Sequence, residues 1–413
     1  MSLRRRHHNI FFYYRGPSTK AVSPHDAHKQ LEDNATKALV NVLEHSPPEL
    51  ARSFLGRFAP GLAVGWPPDE RASYHLQGGP DSGPDGISPG QRVLLGISID
   101  GQIDPKAAPG LPEAGTRIDA AIVPPHGGFL AIETKVVELL DPHQLERHRH
   151  YWQIPKAEDV LVRWVTVWEW ARDARAKTDD RAAQLPVDQF CEYLEILGFG
   201  RWAGFREEDF AQFVDWSWDH QPILRARMRA VWERVLELMP EDQAAWLGVV
   251  EAGKLPRRET HAWAQTNRGQ RGANLTLELG ADELQLNLVG WNDSQASRLA
   301  KWLTSNPERA PNMELIVYER TAKGDHKHAP FWMHASHREL VRFAPVEVRS
   351  GGLAPWIETW NRTADLAWTR LAYHLRHSWT RDEALARGEH LAGDIAVLAA
   401  EALPLLRDIN RWR

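Results

Sequence analysis

Hydrophobic and polar positions alternate most clearly between residues 117 and 136. In RIDAAIVPPHGGFLAIETK, 117–123 alternates and ends in apolar Ile122 and Val123, Pro124-Pro125-His126-Gly127-Gly128 is a turn cluster, and 129–136 alternates again. The pattern predicts two antiparallel strands. With Val123 opposite Phe129, counting back sets Asp119 opposite Glu133 and Arg117 opposite Lys135. Upstream, Val93–Ile99 reads as an apolar strand, residues 10–15 as an early strand, and 75–91 and 105–115 as loops.

Helical periods flank this hairpin. Ser23-Pro24-His25-Asp26 supplies an N-cap, a proline in the first turn and an acid after it, so a helix runs from there to about His45, before Pro47-Pro48. Leu31, Ala35, Ala38, Leu39, Val42 and Leu43 share one face of it, and Glu32 falls inside that face. Asp141-Pro142-His143-Gln144 opens a second helix, with Gln144 in the capping-box position. From about residue 156 the pattern stays helical, over 160–176, 187–197 and 223–238. Leu275–Leu279 and Leu284–Leu288 alternate around Gly280-Ala281-Asp282 as a hairpin, 293–304 reads as a helix and 313–318 as a strand, so 256–350 is a small α+β unit. Two helices, 355–376 and 380–409, close the chain. The expected organisation is 1–155, 156–255, 256–350 and 351–413, in keeping with a length of 413 residues.

Asp119 and Glu133 give the hairpin its chemistry. Directly opposed residues share a sheet face, and two like charges so placed call for a cation between them. Glu133 and Lys135 are two apart on one strand, so period-two geometry sets the ammonium beside both acids. Here the sequence resembles the PD-(D/E)xK nuclease superfamily, whose motif is an acid on one core strand and E-x-K on the next: Asp119, then Glu133-Thr134-Lys135, with Ile118 where the motif's proline usually stands. The resemblance implies a restriction-endonuclease-like α/β core, a mixed sheet flanked by helices, and metal-dependent hydrolysis of phosphodiester bonds, with DNA favoured over RNA. It implies Mg²⁺, with Mn²⁺ as a substitute, held by Asp119, Glu133 and a glutamate of the N-terminal helix, for which Glu32 in LEDNATKAL is the candidate. Members often carry a Gln and then a Tyr on the helix after the E-x-K strand. Gln144 matches, whereas His148 stands where the Tyr would be. The downstream stretch QFCEYLEILGFGRWAGFREEDFAQF resembles one found in bacterial members that defend against phage. A catalytically silent nucleic-acid-binding or assembly subunit on the same core is the alternative.

Charge and composition narrow the partners. Net charge is −5, so nucleic acid would meet local patches rather than a basic field. Arg117, Arg147, His148 and Arg149 make one such patch, and Arg257 with Arg258 another. A histidine metal cluster is disfavoured, since His143, His148 and His150 lack helical metal-ligand spacing. Cys191 is the only cysteine, which fits a reducing compartment and a packing role. Nothing reads as a signal peptide or membrane span; the most apolar run, 391–406, carries Asp394, Glu401 and Pro404. A cytoplasmic protein is expected, with room for a protein partner or a second copy of the chain. The 19 tryptophans are read as packing residues.

Overall fold

The computed structural model describes residues 11, 24–80, 83–99, 101–104, 117–136, 139–214, 220–248, 250–252, 261–266, 273–289, 293–320, 337–363 and 371–410. Ser23 and all but Phe11 of the strand expected at 10–15 lie outside them, as do Arg257 and Arg258. The chain forms two compact units that meet in sequence at Arg201 and Trp202.

The first unit is a mixed five-stranded sheet in the order β1-β3-β4-β2-β5, built from Ser73–Leu76 (β1), Arg92–Ser98 (β2), Ala120–Val123 (β3), Phe129–Thr134 (β4) and Asp159–Arg163 (β5). β3 pairs β4 as Ala120↔Ile132, Ala121↔Ala131 and Ile122↔Leu130, which is the register expected from the turn. Gly127 and Gly128 make that turn at φ of +100° and +89°, backbone that glycine adopts freely. β2 lies parallel to both β4 and β5. Helices Pro24–His45 (α1), Pro48–Phe58 (α2), Pro142–Trp152 (α3), Trp164–Ala176 (α4) and Arg181–Ile196 (α5) complete the unit. On α1 the six apolar residues of the expected face are all buried. Adjacent residues of β4 reach different helices: the Thr134 hydroxyl lies 2.6 Å from that of Thr36 on α1, and Glu133 lies 3.2 Å from His148 on α3. Successive side chains of a strand point to opposite faces, so α1 and α3 cover opposite sides of the sheet.

Several boundaries differ from the sequence pattern. β1 takes the first residues of the loop expected at 75–91, and a second helix starts at Pro48 with proline in its first turn. Residues 159–163 are a strand rather than the start of a helix. Val160, Leu161 and Val162 suit either period, and the free edge of β2 decides between them. β5, α4 and α5 therefore belong with the first unit, and the separate helical region expected at 156–255 does not form.

The second unit is a seven-stranded antiparallel sheet, β11-β10-β12-β9-β8-β7-β6, made of Val250–Ala252 (β6), His261–Thr266 (β7), Asn274–Gly280 (β8), Glu283–Val289 (β9), Glu314–Arg320 (β10), His337–Phe343 (β11) and Leu371–Thr380 (β12). The β8–β9 hairpin is the expected one. Residues 371–376, expected at the end of a helix, lie in β12 between β9 and β10. Their alternation explains it: Leu371, Tyr373 and Leu375 enter the core. Since this strand comes from the expected C-terminal helices, 256–350 and 351–413 fold as one unit. Helices His220–Leu238 (α6), Asp293–Ser305 (α7), Leu353–Thr363 (α8) and Leu391–Asn410 (α9) share a core with the leucines of β8 and β9. Among the described residues no helix is long and apolar enough to cross a membrane.

Candidate functional site

Four charged side chains converge where β4 ends. Glu133 is fully buried and comes from the last turn of pleat; its Oε1 accepts from Lys135 Nζ at 2.9 Å, and its Oε2 lies 3.2 Å from His148 Nε2. Lys135 stands just beyond the strand, so its side chain is free to bridge the two helix layers. Its ammonium is also 3.7 Å from Glu32 Oε2 on α1. The other Glu32 oxygen accepts the Val136 amide at 3.4 Å, which holds that glutamate over the strand end.

Asp119 sits one residue before β3. Its Oδ2 accepts from the Thr134 amide at 2.8 Å and the Thr134 hydroxyl at 3.0 Å. The acid thus continues the ladder where the β3 backbone leaves it. Its Oδ1 makes no hydrogen bond among the described residues. The expected direct opposition of two carboxylates is therefore modified: register brings Asp119 level with Glu133, while its head group turns to the next residue along.

The charges are not in balance. Burial pushes the Asp119 carboxyl up to about 6, with the Glu133 charge adding to it. Burial likewise pushes Glu32 up to about 7, against the pull of Lys135. For Glu133 burial works the same way but is outweighed by the His148 hydrogen bond and Lys135, so this acid titrates below its ordinary range. For Lys135, burial is overcome by Glu133, Glu32 and Asp119, which hold the ammonium protonated above its usual value. A lysine in this setting is a donor and a charge, rather than a base.

Other candidates divide. Gln144 lies in the first turn of α3, half-buried and without a hydrogen bond among the described residues. The capping role falls to Asp141, whose carboxylate accepts the His143 amide at 2.8 Å. Four residues before His148, Gln144 shares the face of α3 that His148 turns to Glu133. Two of the expected phosphate contacts are corrected. His148 is buried against Glu133, and Arg149 is ion-paired to Glu146 and Asp159 with little of it exposed. Their positions on the inner side of α3 remove them from a surface patch. Arg117 is exposed and Arg147 half-buried, so both remain open to a ligand. Sequence reasoning missed Thr36 and Thr134; Thr36 stands one turn after Glu32, a spacing that gave the signal.

No protein-family model matches the chain, and no curated protein matches it. Among the described residues no group of three His, Cys, Asp or Glu side chains is arranged to hold a metal ion. Mg²⁺ asks for less than such a cage, since it keeps several waters and uses one or two carboxylates. Asp119 and Glu133 fit that demand in donor chemistry: hard oxygens, one of them unbonded, with the Asp119 carboxyl pushed upward by burial and by the Glu133 charge beside it.

Proposed function

We propose that the first unit is a metal-dependent nuclease of the restriction-endonuclease-like kind, acting on DNA in preference to RNA. What supports this reading is the convergence of Glu32, Asp119, Glu133 and Lys135 at the end of β4, in a mixed sheet covered on both faces. Buried structural ion pairs do not ordinarily gather three acids around one lysine, because the excess charge is costly to desolvate.

Asp119 and Glu133 would hold Mg²⁺, with Glu32 completing the shell on the α1 side. The ion when bound polarises the phosphate and stabilises charge on the leaving oxygen. His148 fixes Glu133 through its second oxygen, which orients the first toward the site. Lys135, held protonated, orients the attacking water or a phosphate oxygen by donation from Nζ. Thr134 fixes Asp119 by two hydrogen bonds, so the carboxylate needs no reorganisation when substrate arrives. Defence against foreign DNA is a setting that suits such an enzyme.

A second reading keeps its own observation: the Lys135 ammonium already stands between Glu133 and Glu32, where a cation would compensate both. On that reading the site is a self-neutralised remnant and the unit binds nucleic acid without cutting it.

Cleavage of plasmid DNA, single-stranded DNA and RNA with Mg²⁺, Mn²⁺ or EDTA separates the two. Cutting should need the metal and fall at least about a hundredfold in Lys135→Ala. Mg²⁺ should also raise the melting temperature at pH 8, where Asp119 and Glu32 have lost their protons, and should not do so in Asp119→Asn. Binding of nucleic acid without cutting or metal stabilisation would favour the silent subunit.

A further inference from the structure

The two flanks of α3 are used differently. Arg149 pairs with Glu146 and reaches Asp159, so that flank turns toward β5 at one edge of the sheet. At about 100° per residue, Gln144, Arg147 and Tyr151 share the other flank, toward β3 and β1. A second contact agrees with this direction: a Cβ placed on Gly83, which follows β1 in the chain, would stand 3.9 Å from the Tyr151 hydroxyl. The flank begins beside the acids at the end of β4, where His148 meets Glu133. It runs back along that strand to Trp152, which stacks on Phe129.

Arg147 and Tyr151 are the two open side chains of this flank. Arg147 is half-buried and makes no hydrogen bond or ion pair among the described residues, whereas Arg149, two residues on, holds two carboxylates. A partly desolvated guanidinium with no counter-ion keeps its whole fork of donors for an incoming anion. Tyr151, one turn further on, is 39 % exposed. Its ring stands nearly perpendicular to that of Trp152, at 81° with centroids 4.9 Å apart, and this contact holds the ring in place. Trp152 itself is closed off: it is buried, and a Cβ on Gly79 would run into its indole. Tyr151 is therefore the aromatic surface that a ligand on this flank can reach.

We propose that this flank is the track for the strand being cut, and that the substrate is single-stranded DNA. Arg147 takes a phosphate next to the scissile one, and Tyr151, about 10 Å beyond Gln144 along the helix, takes an unpaired base on its ring. Bases inside a duplex stack on one another and offer no face to a side chain, so a tyrosine on the phosphate track favours a single strand. The inference rests on the nuclease reading of the first unit and adds the substrate class, which the acids alone do not decide.

Fluorescence anisotropy of the full chain with a labelled DNA oligonucleotide tests this, the DNA being single-stranded or a blunt duplex of the same sequence, in EDTA so that nothing is cut. The single strand should bind at least about tenfold more tightly than the duplex. Tyr151→Leu should weaken single-strand binding about tenfold and leave duplex binding unchanged, while Tyr151→Phe keeps the ring and should keep the affinity. Arg147→Gln should weaken both and lower the salt dependence by about one phosphate contact. Equal melting temperatures for wild type and variants would show that no loss comes from unfolding. Binding of neither DNA, a duplex bound as tightly as the single strand, or Tyr151→Leu without effect would each overturn the proposal. Cleavage with Mg²⁺ is followed in parallel: the expected binding pattern without cutting would keep the track and reject the nuclease, whereas duplex cut as readily as single strand would keep the nuclease and reject the track.

Discussion

Glu133 in the first sheet and Glu278 in the second are almost equally buried, and their surroundings treat them in opposite ways. Glu133 has an ammonium on one oxygen and an imidazole on the other, and it stays ionised. Glu278 has neither, and burial holds its carboxyl well above the ordinary range. Burial alone therefore does not decide the charge state of a carboxyl; its partners do. A compensated acid can carry charge to a metal or substrate, while a neutral one can only shape a hydrogen-bonding edge.

The sharpest break in this comparison is Glu133→Gln. It takes from Lys135 its nearest carboxylate and from His148 its partner, leaving Glu32 as the remaining acid beside the ammonium, and should cost about 3 kcal/mol at neutral pH by urea denaturation. Because the folded pKa of Glu133 lies below the unfolded one, that stability is present above the unfolded value and lost as pH falls through the folded one. The gap between wild type and variant should close in acid. A gap that persists unchanged at low pH would assign the loss to packing instead.

Glu278→Gln should act in the other direction. The folded pKa is raised, so the wild-type contribution is full below the unfolded value and declines as pH rises toward the folded one. The amide needs no proton, and the variant should gain on wild type by about 1.4 kcal/mol per pH unit over that window. A variant less stable than wild type at neutral pH would mean that Glu278 is ionised and paired after all.

Arg149→Met probes the corrected patch on α3. The residue leaves Asp159 and Glu146 without their cation, and the expected loss is about 2 kcal/mol of stability with little change in cleavage or in nucleic-acid affinity. Weakened DNA binding at unchanged stability would restore Arg149 to the surface patch.

The same contrast explains what was legible in the sequence. The hairpin register followed from counting, because the turn cluster is compact and each strand has one period. The buried face of α1, with Glu32 inside it, followed from the wheel. The lone strand β5 did not, since Val160-Leu161-Val162 fits both periods and only the edge of β2 selects one. β12 was lost for a related reason: Leu371, Tyr373 and Leu375 alternate into the core, but His374 and Arg376 between and after them are buried as well, on the other face, between strands distant in sequence. Arg149 reads as basic surface until its acidic partners, one of them on β5, are brought beside it. Long-range pairing is what a single sequence hides.

Gln144→Ala is expected to have the smallest effect, and it separates a site residue from a helix cap. The side chain makes no hydrogen bond among the described residues, Asp141 already accepts the first free amide of α3, and alanine is the better helix former. Removing the amide should therefore leave the melting temperature unchanged or slightly higher. If Gln144 touches water or phosphate at the site, cleavage should still fall by about three- to tenfold, the worth of one hydrogen bond of about 1 kcal/mol. A drop in melting temperature with activity intact would return it to the capping role, and the α3 face at the site would then consist of His148 alone.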